Sequence, residues 1–204
     1  MKLTHCLLVL LVAIPVMAID IPELPICEAH MPINEGSIWV SPDGSGPGLE
    51  YGYDMAGEVA DVRITLLVLN GEYEPIANLP YEDLWLQSES NGLTRCVGGT
   101  VADHNTDQNG ETTFSGPFLA GGSNPNPEKI LVMIFGDPLV QNPLSLFINS
   151  PDINGDLAVN LSDISAMTQV LNGDYDWSCD FNNDGAVNLS DIVVFATCLG
   201  AVCH

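Results

Sequence analysis

Positive charge is almost missing from this chain. Among 204 residues there are 4 Lys or Arg against 27 Asp or Glu, a formal net charge of −23 at pH 7. This argues against nucleic acid as a partner, because phosphate binding needs clustered Lys and Arg. An anionic membrane surface is disfavoured on the same ground. Long apolar runs are also missing: the run at residues 7–14 (LLVLLVAI) is too short to span a bilayer, and nothing later is apolar for longer. Only 15% of residues are charged and 46% are apolar, with 19 Gly and 14 Pro. That balance describes folded β structure with frequent turns rather than a disordered acidic tail. Hard cations are the natural counter-charge.

Lys2, the apolar run and then Val16-Met17-Ala18 read as a secretory leader, with cleavage expected after Ala18. The expected organisation is a signal peptide at 1–18, a β-sandwich at 19–150 and a small calcium-binding module at 151–204. The protein is expected to be secreted, without membrane insertion once the leader is cut. Export allows disulfides. Cys6 leaves with the leader, so Cys27, Cys96, Cys179, Cys198 and Cys203 remain, an odd number. A bridge between Cys27 and Cys96 and another among the last three are expected. No Cys-x-x-Cys or His-x-x-x-His spacing supports zinc.

Up to residue 150 the pattern is of strands. Val62, Ile64, Leu66 and Val68 alternate with Arg63, Thr65, Leu67 and Leu69 before an Asn70-Gly71 turn. Leu84 and Leu86 alternate with Trp85 and Gln87. Residues 129–135 (KILVMIF) form a continuous apolar run that suits a buried central strand. With short strands at 37–41, 111–115, near Phe118 and at 144–148, about seven strands are expected, the number of a β-sandwich. No amphipathic helix is expected before residue 150. The ITLLV strand at 64–68, the PIANLP segment at 75–80 and TDQNGETT at 106–113 resemble bacterial immunoglobulin-like domains of the invasin and intimin type. That resemblance implies an immunoglobulin-like sandwich that serves as a spacer or interaction module.

The C-terminal stretch repeats itself. DINGDLAVNLSD at 152–163 returns as DFNNDGAVNLSD at 180–191. Oxygen side chains fall at loop positions 1, 3, 5, 9 and 12, the spacing of an EF-hand-type calcium loop, in which position 7 offers its backbone carbonyl. Calcium is hard and takes six to eight oxygens at roughly 2.3–2.6 Å. Residues 151–204 hold eight acids and no Lys or Arg, and six of those acids are loop residues. Without a cation such carboxylates repel one another, so metal binding and local folding are expected to be coupled. Each loop leads into one short helix. Ile164, Met167, Val170 and Leu171 share a face of the first, and Ile192, Val193, Phe195, Ala196 and Leu199 a face of the second, with Gly173 and Gly200 as stops. Met167 and Phe195 are expected in the core.

These tandem loops, each with one helix, resemble type I dockerin modules, which attach secreted proteins to a cohesin domain. The resemblance implies two calcium ions. Their ligands would be Asp152, Asn154, Asp156, the Ala158 carbonyl, Asn160 and Asp163, and then Asp180, Asn182, Asp184, the Ala186 carbonyl, Asn188 and Asp191. It implies partner contacts at loop positions 10 and 11, here Leu161 and Ser162, and again Leu189 and Ser190. That repetition would permit two opposite docking orientations. Position 6 usually carries Gly for a positive φ. The second loop has Gly185 but the first has Leu157, so a weaker or strained first site is expected. The module's own β-sandwich is the rival partner to a cohesin-like protein.

Catalytic motifs are scarce. Asp103-His104 looks like part of a triad, but a polar surface loop accounts for it better. Trp39, Tyr51, Tyr53, Tyr73, Tyr81 and Trp85 are candidates for stacking on sugar rings. The leading expectation is a non-catalytic secreted attachment protein. The alternative is a carbohydrate-binding accessory, or a small glycoside hydrolase, in extracellular polysaccharide breakdown.

Overall fold

The structure is a computed structural model that describes residues 20–204. The expected leader, its cleavage site and Cys6 lie outside the described residues. A β-rich N-terminal region of several sheets is followed by two helices. In chain order the strands are β1 (Glu28–His30), β2 (Glu35–Trp39), β3 (Gly52–Tyr53), β4 (Val59–Ala60), β5 (Ile64–Leu67) and β6 (Leu84–Ser88). They continue with β7 (Leu93–Arg95), β8 (Glu111–Phe114), β9 (Ala120–Gly122), β10 (Ile130–Ile134), β11 (Asp137–Pro138) and β12 (Ser145–Asn149). The helices are α1 (Leu161–Leu171) and α2 (Leu189–Thr197). Before residue 150 the described helical turns are three short 3-10 segments.

The alternating sequence puts Leu84 and Leu86 of β6 inside and Trp85 and Gln87 outside, as period two requires. β1, β5 and β8 pair antiparallel in that order. β6 pairs antiparallel with β10, and Ile130 at the start of β10 bridges Leu144, just before β12. β12 then runs parallel to β2, from Ser145 opposite Glu35 to Asn149 opposite Trp39. The buried sides of β5, β8, β6, β10, β12 and β2 share one core, including Leu66, Phe114, Leu86, Val132, Leu146 and Ile38. Within the run at 129–135, Ile130–Ile134 is a central strand between β6 and β11, while Phe135, at φ 53°, belongs to the exposed turn that follows. Twelve strands stand among the described residues where about seven are expected. The additional ones are two or three residues long: β1 and β7 are completed by segments remote in sequence, while β3 with β4 and β11 with β10 form short local hairpins.

Three five-residue turns share one construction. In 54–58, 70–74 and 107–111 the first side chain, Asp54, Asn70 or Asp107, accepts the backbone N–H of the third and fifth residues. The fourth residue has positive φ: Gly57 at 81°, Tyr73 at 64° and Gly110 at 75°. In the turn after β5 it is therefore Tyr73, not Gly71, that takes the left-handed conformation.

The helices pack on the end of β2 and β12. Val159, Met167, Phe181, Phe195, Cys198 and Ala201 form a second core, with Trp39 from the end of β2 packed against it. Helices of this length need such packing, because they are marginal alone in water. Phe147 of β12 meets the Trp177 ring edge-on, with centroids 6.4 Å apart. Asn149 donates its side-chain amide to the carbonyls of Trp177 and Asp180.

The cysteine expectations are corrected. Cys96 is bonded to Cys203, not to Cys27, and no bridge joins two of the last three cysteines. Cys27 faces the core, where its sulfur contacts the Leu69 backbone. Cys179 and Cys198 are buried as free thiols. Burial pushes the Cys179 thiol up to about 11, so it stays protonated and unreactive near neutrality. Of these C-terminal cysteines, Cys203 makes the covalent tie to the β-rich region, while the Cys198 thiol meets the Ser45 hydroxyl. Non-reducing peptide mapping should yield a fragment linking Cys96 to Cys203; a fragment linking Cys27 to Cys96 would contradict this pairing.

Candidate metal centre

Asn160 and Asn188 cap the two helices with nearly the same backbone angles, φ −147° in both and ψ −162° and −160°. Each accepts the N–H two residues on, from Ser162 and Ser190. Asp163 and Asp191 sit at the third helical position and reach back to the N–H of Asn160 and Asn188, completing capping boxes. Asn-x-x-Asp thus starts each helix and turns the acid of position 12 into the loop.

The first-position acids organise the other end of each loop. Asp152 accepts the N–H of Asp156 at 3.2 Å and of Leu157 at 2.7 Å. Asp180 accepts those of Asp184 at 3.1 Å and Gly185 at 2.9 Å. Asp156 and Asp184 accept the N–H of Ala158 and Ala186, both at 3.0 Å. The Ala158 and Ala186 carbonyls accept from the Asn160 and Asn188 amides. Asn154 and Asn182 donate to Asp156 and Asp184. The structure therefore brings every residue of each set of six into one hydrogen-bonded loop, twice, with closely similar wiring; the position-12 acid differs, Asp163 accepting the Asn154 N–H and Asp191 the Phe181 N–H.

The electrostatics of these loops is unfavourable as it stands. Asp152, Asp163, Asp180 and Asp191 are at most 1% exposed. Among the described residues the one ion pair is Arg63 with Asp61, and residues 151–204 contain no Lys or Arg. Buried charge without a partner is costly. Burial pushes the Asp152 carboxyl above its ordinary value, and the Asp163 and Asp156 charges push the same way against the Leu157 N–H. Burial raises Asp180 too, aided by the Asp191 charge and opposed by the Tyr175 hydroxyl and the Gly185 N–H. Backbone donors therefore do not offset the loss of water. Among the described residues no three Asp, Glu, His or Cys side chains are arranged to hold an ion alone. A shell would need the asparagine oxygens and the position-7 carbonyl as well. An all-oxygen set of this kind suits a hard cation.

The two loops are held differently. The first lies against β9: Gly122 donates to the Asp152 carbonyl at 2.7 Å, and a Cβ at Gly121 would run into the Asp152 carboxylate. The second lies against the 54–58 turn, where the Asn183 amide donates to the Asp54 carbonyl at 2.9 Å. Tyr175 donates its hydroxyl to Asp180 at 2.9 Å, a contact that loop spacing does not reveal. Leu157 has φ +69° where Gly185 has +82°, so the first loop does carry a leucine in the left-handed region.

The expected partner positions divide. Leu161 and Leu189 are 76% and 71% exposed. Ser162 and Ser190 are turned into the loops, each donating to its capping asparagine and accepting from Asn154 or Asn182. Between the helices lies an apolar groove of about 300 Å³ bordered by Ile164, Leu171, Ile192 and Leu199. Elsewhere, Asp103 accepts from Thr113 and Ser115, while the His104 ring lies 2.8 Å from the Asn105 carbonyl, so these two side chains form no relay.

No family model, curated protein or solved structure matches this chain.

The strain at Leu157 has a direct readout. Leu157→Gly and Leu157→Ala remove the same side-chain atoms beyond Cβ, and only glycine relieves the left-handed conformation. Leu157→Gly should be the more stable of the two by about 1 kcal/mol in denaturant unfolding, the reverse of the usual order. An alanine variant of equal or greater stability would refute the strain.

Proposed function

We propose that this is a secreted, non-catalytic protein whose C-terminal dockerin-like loops bind two calcium ions and attach it to a cohesin-type partner. The observation that carries the reading is the pair of similarly wired loops with four carboxylates out of water and no Lys or Arg in the segment. Two divalent cations would supply the missing counter-charge where the donors already converge. When bound, calcium contributes charge neutralisation and cross-linking of each loop to its helix. The chain's own residues do the rest: capping boxes aim Asp163 and Asp191, and backbone donors hold Asp152 and Asp180 in place.

The immunoglobulin-like sandwich reading is supported by the strand order: β1–β5–β8 form one sheet, and β12–β2–β3–β4 is linked to β11–β10–β6 by the Ile130–Leu144 bridge, with β2 and β12 parallel. The leader pattern and the Cys96–Cys203 disulfide support an extracellular setting. Exposed Leu161 and Leu189 at equivalent helix starts, with the groove between the helices, offer the attachment face.

A second reading, carbohydrate binding by the β-rich region, is favoured by one cleft. Of the six aromatic candidates, Trp39 is taken up by the second core, and Tyr81 and Trp85 share a cleft of about 510 Å³ with Arg95. Arg95 lies over the Trp85 ring at 5.5 Å.

Native mass spectrometry should show two calcium ions on the protein, one after Asp163→Ala or Asp191→Ala, and none after both; a calcium-free wild type ends the first reading. For the second, retention on an insoluble polysaccharide should be lost in Trp85→Ala and kept in Tyr73→Ala, whose ring stands on an exposed turn. Equal retention of both variants removes it.

A further inference from the structure

The two position-7 carbonyls have different support. Ala158 bridges Val202 in antiparallel fashion, whereas among the described residues Ala186 takes part in no bridge. The chain leaves α2 at Gly200, with φ +93°, and turns back along the first loop. Val159 N–H donates to Ala201 O and Gly200 N–H to Val159 O, both at 2.9 Å, and Cys203 N–H donates to Leu157 O at 3.3 Å. This is the hydrogen-bonding pattern that flanks a non-hydrogen-bonded pair. The Leu157 carbonyl and both backbone groups of Val159 are spent on the tail, so the N–H and carbonyl of Ala158 face the other way, into the loop. There they meet Asp156 and Asn160.

The same tail ends in a covalent tie. Cys203 is bonded to Cys96, which follows β7, and β7 pairs with β9. β9 in turn holds the Asp152 carbonyl through Gly122 N–H. The first loop is thus gripped at position 1 by β9 and at positions 6 to 8 by the tail, and the disulfide locks the two grips together. That grip acts on the loop that carries Leu157 at φ +69° in place of glycine.

We propose that the Cys96–Cys203 disulfide, acting through residues 200–203, is a positioning device for the first calcium loop: it aims the Ala158 carbonyl and holds Leu157 left-handed, so the first site depends on the disulfide and the second does not. The proposal rests on the calcium reading above and assigns the regulation of one of its two sites.

The test separates the sites on the full chain. Asp191→Ala leaves the first loop intact, and Asp163→Ala leaves the second. Calcium affinity is measured by titration calorimetry in each background, with and without Cys96→Ser plus Cys203→Ser. Loss of the disulfide should weaken the first loop roughly tenfold or more and move the second by less than about twofold, the scale on which positioning groups tune metal ligands. Adding Leu157→Gly should restore part of the first loop's affinity, which a general loosening would not allow. Hydrogen exchange without calcium should show residues 157–160 less protected in the serine pair, and 185–188 unchanged. Gly200→Ala strains the tail with the disulfide intact and should weaken the first loop in the same direction, which covers the case of a serine pair that folds poorly. Equal loss at both loops, or none at the first, overturns the proposal alone. A wild type that binds no calcium overturns the calcium reading and this proposal together.

Discussion

Taking a carboxylate out of water without a cation to meet it is one of the most expensive things a fold can do. This chain does it four times within 40 residues, at Asp152, Asp163, Asp180 and Asp191. Each acid gains backbone N–H donors, and for Asp152 and Asp180 burial still wins over those donors. The loops, the helix caps and the seating of the helices on the β-rich region are all arranged around these side chains. Removing the acids would also remove the capping boxes that start both helices.

The β-rich region acts as the frame for that arrangement. Trp39 and Asn149 stand at the paired ends of β2 and β12, and both reach into the helical part. β9 would be an unremarkable three-residue strand except that its glycines let the backbone approach Asp152. The loops contact this frame through Gly122 and Asp54, while Leu161 and Leu189 stay exposed. In the proposed function, ion binding would use the loops and attachment the exposed leucines and the groove of the same two short helices.

Much of this is legible in the amino-acid order, for identifiable reasons. β5 and β6 follow from alternation and β10 from an unbroken apolar run, because those patterns report directly on which faces are buried. The helix starts follow from Asn-x-x-Asp, and the two loops from their spacing. What stays hidden depends on long-range pairing. Ala120-Gly121-Gly122 has no strand character until β7 pairs with it. The parallel β2–β12 pair joins segments separated by most of the β-rich region. The cysteine pairing was equally out of reach: five thiols can pair in many ways, and what selects Cys203 is a tail that lies along residues 157–159. Tyr175 and Gly122 contribute to the loops from outside the motif, where no spacing rule looks.

The disulfide closes a ring across a sequence separation of 107 residues, and that ring contains β8 to β12 and both helices. Mechanical load applied to the helices therefore has two covalent routes into the β-rich region, one through residue 150 and one through Cys96. No strand from β8 to β12 can be drawn out alone while the ring holds. A protein anchored by this end would pass tension into its β-rich region at two points and resist unzipping from its tether.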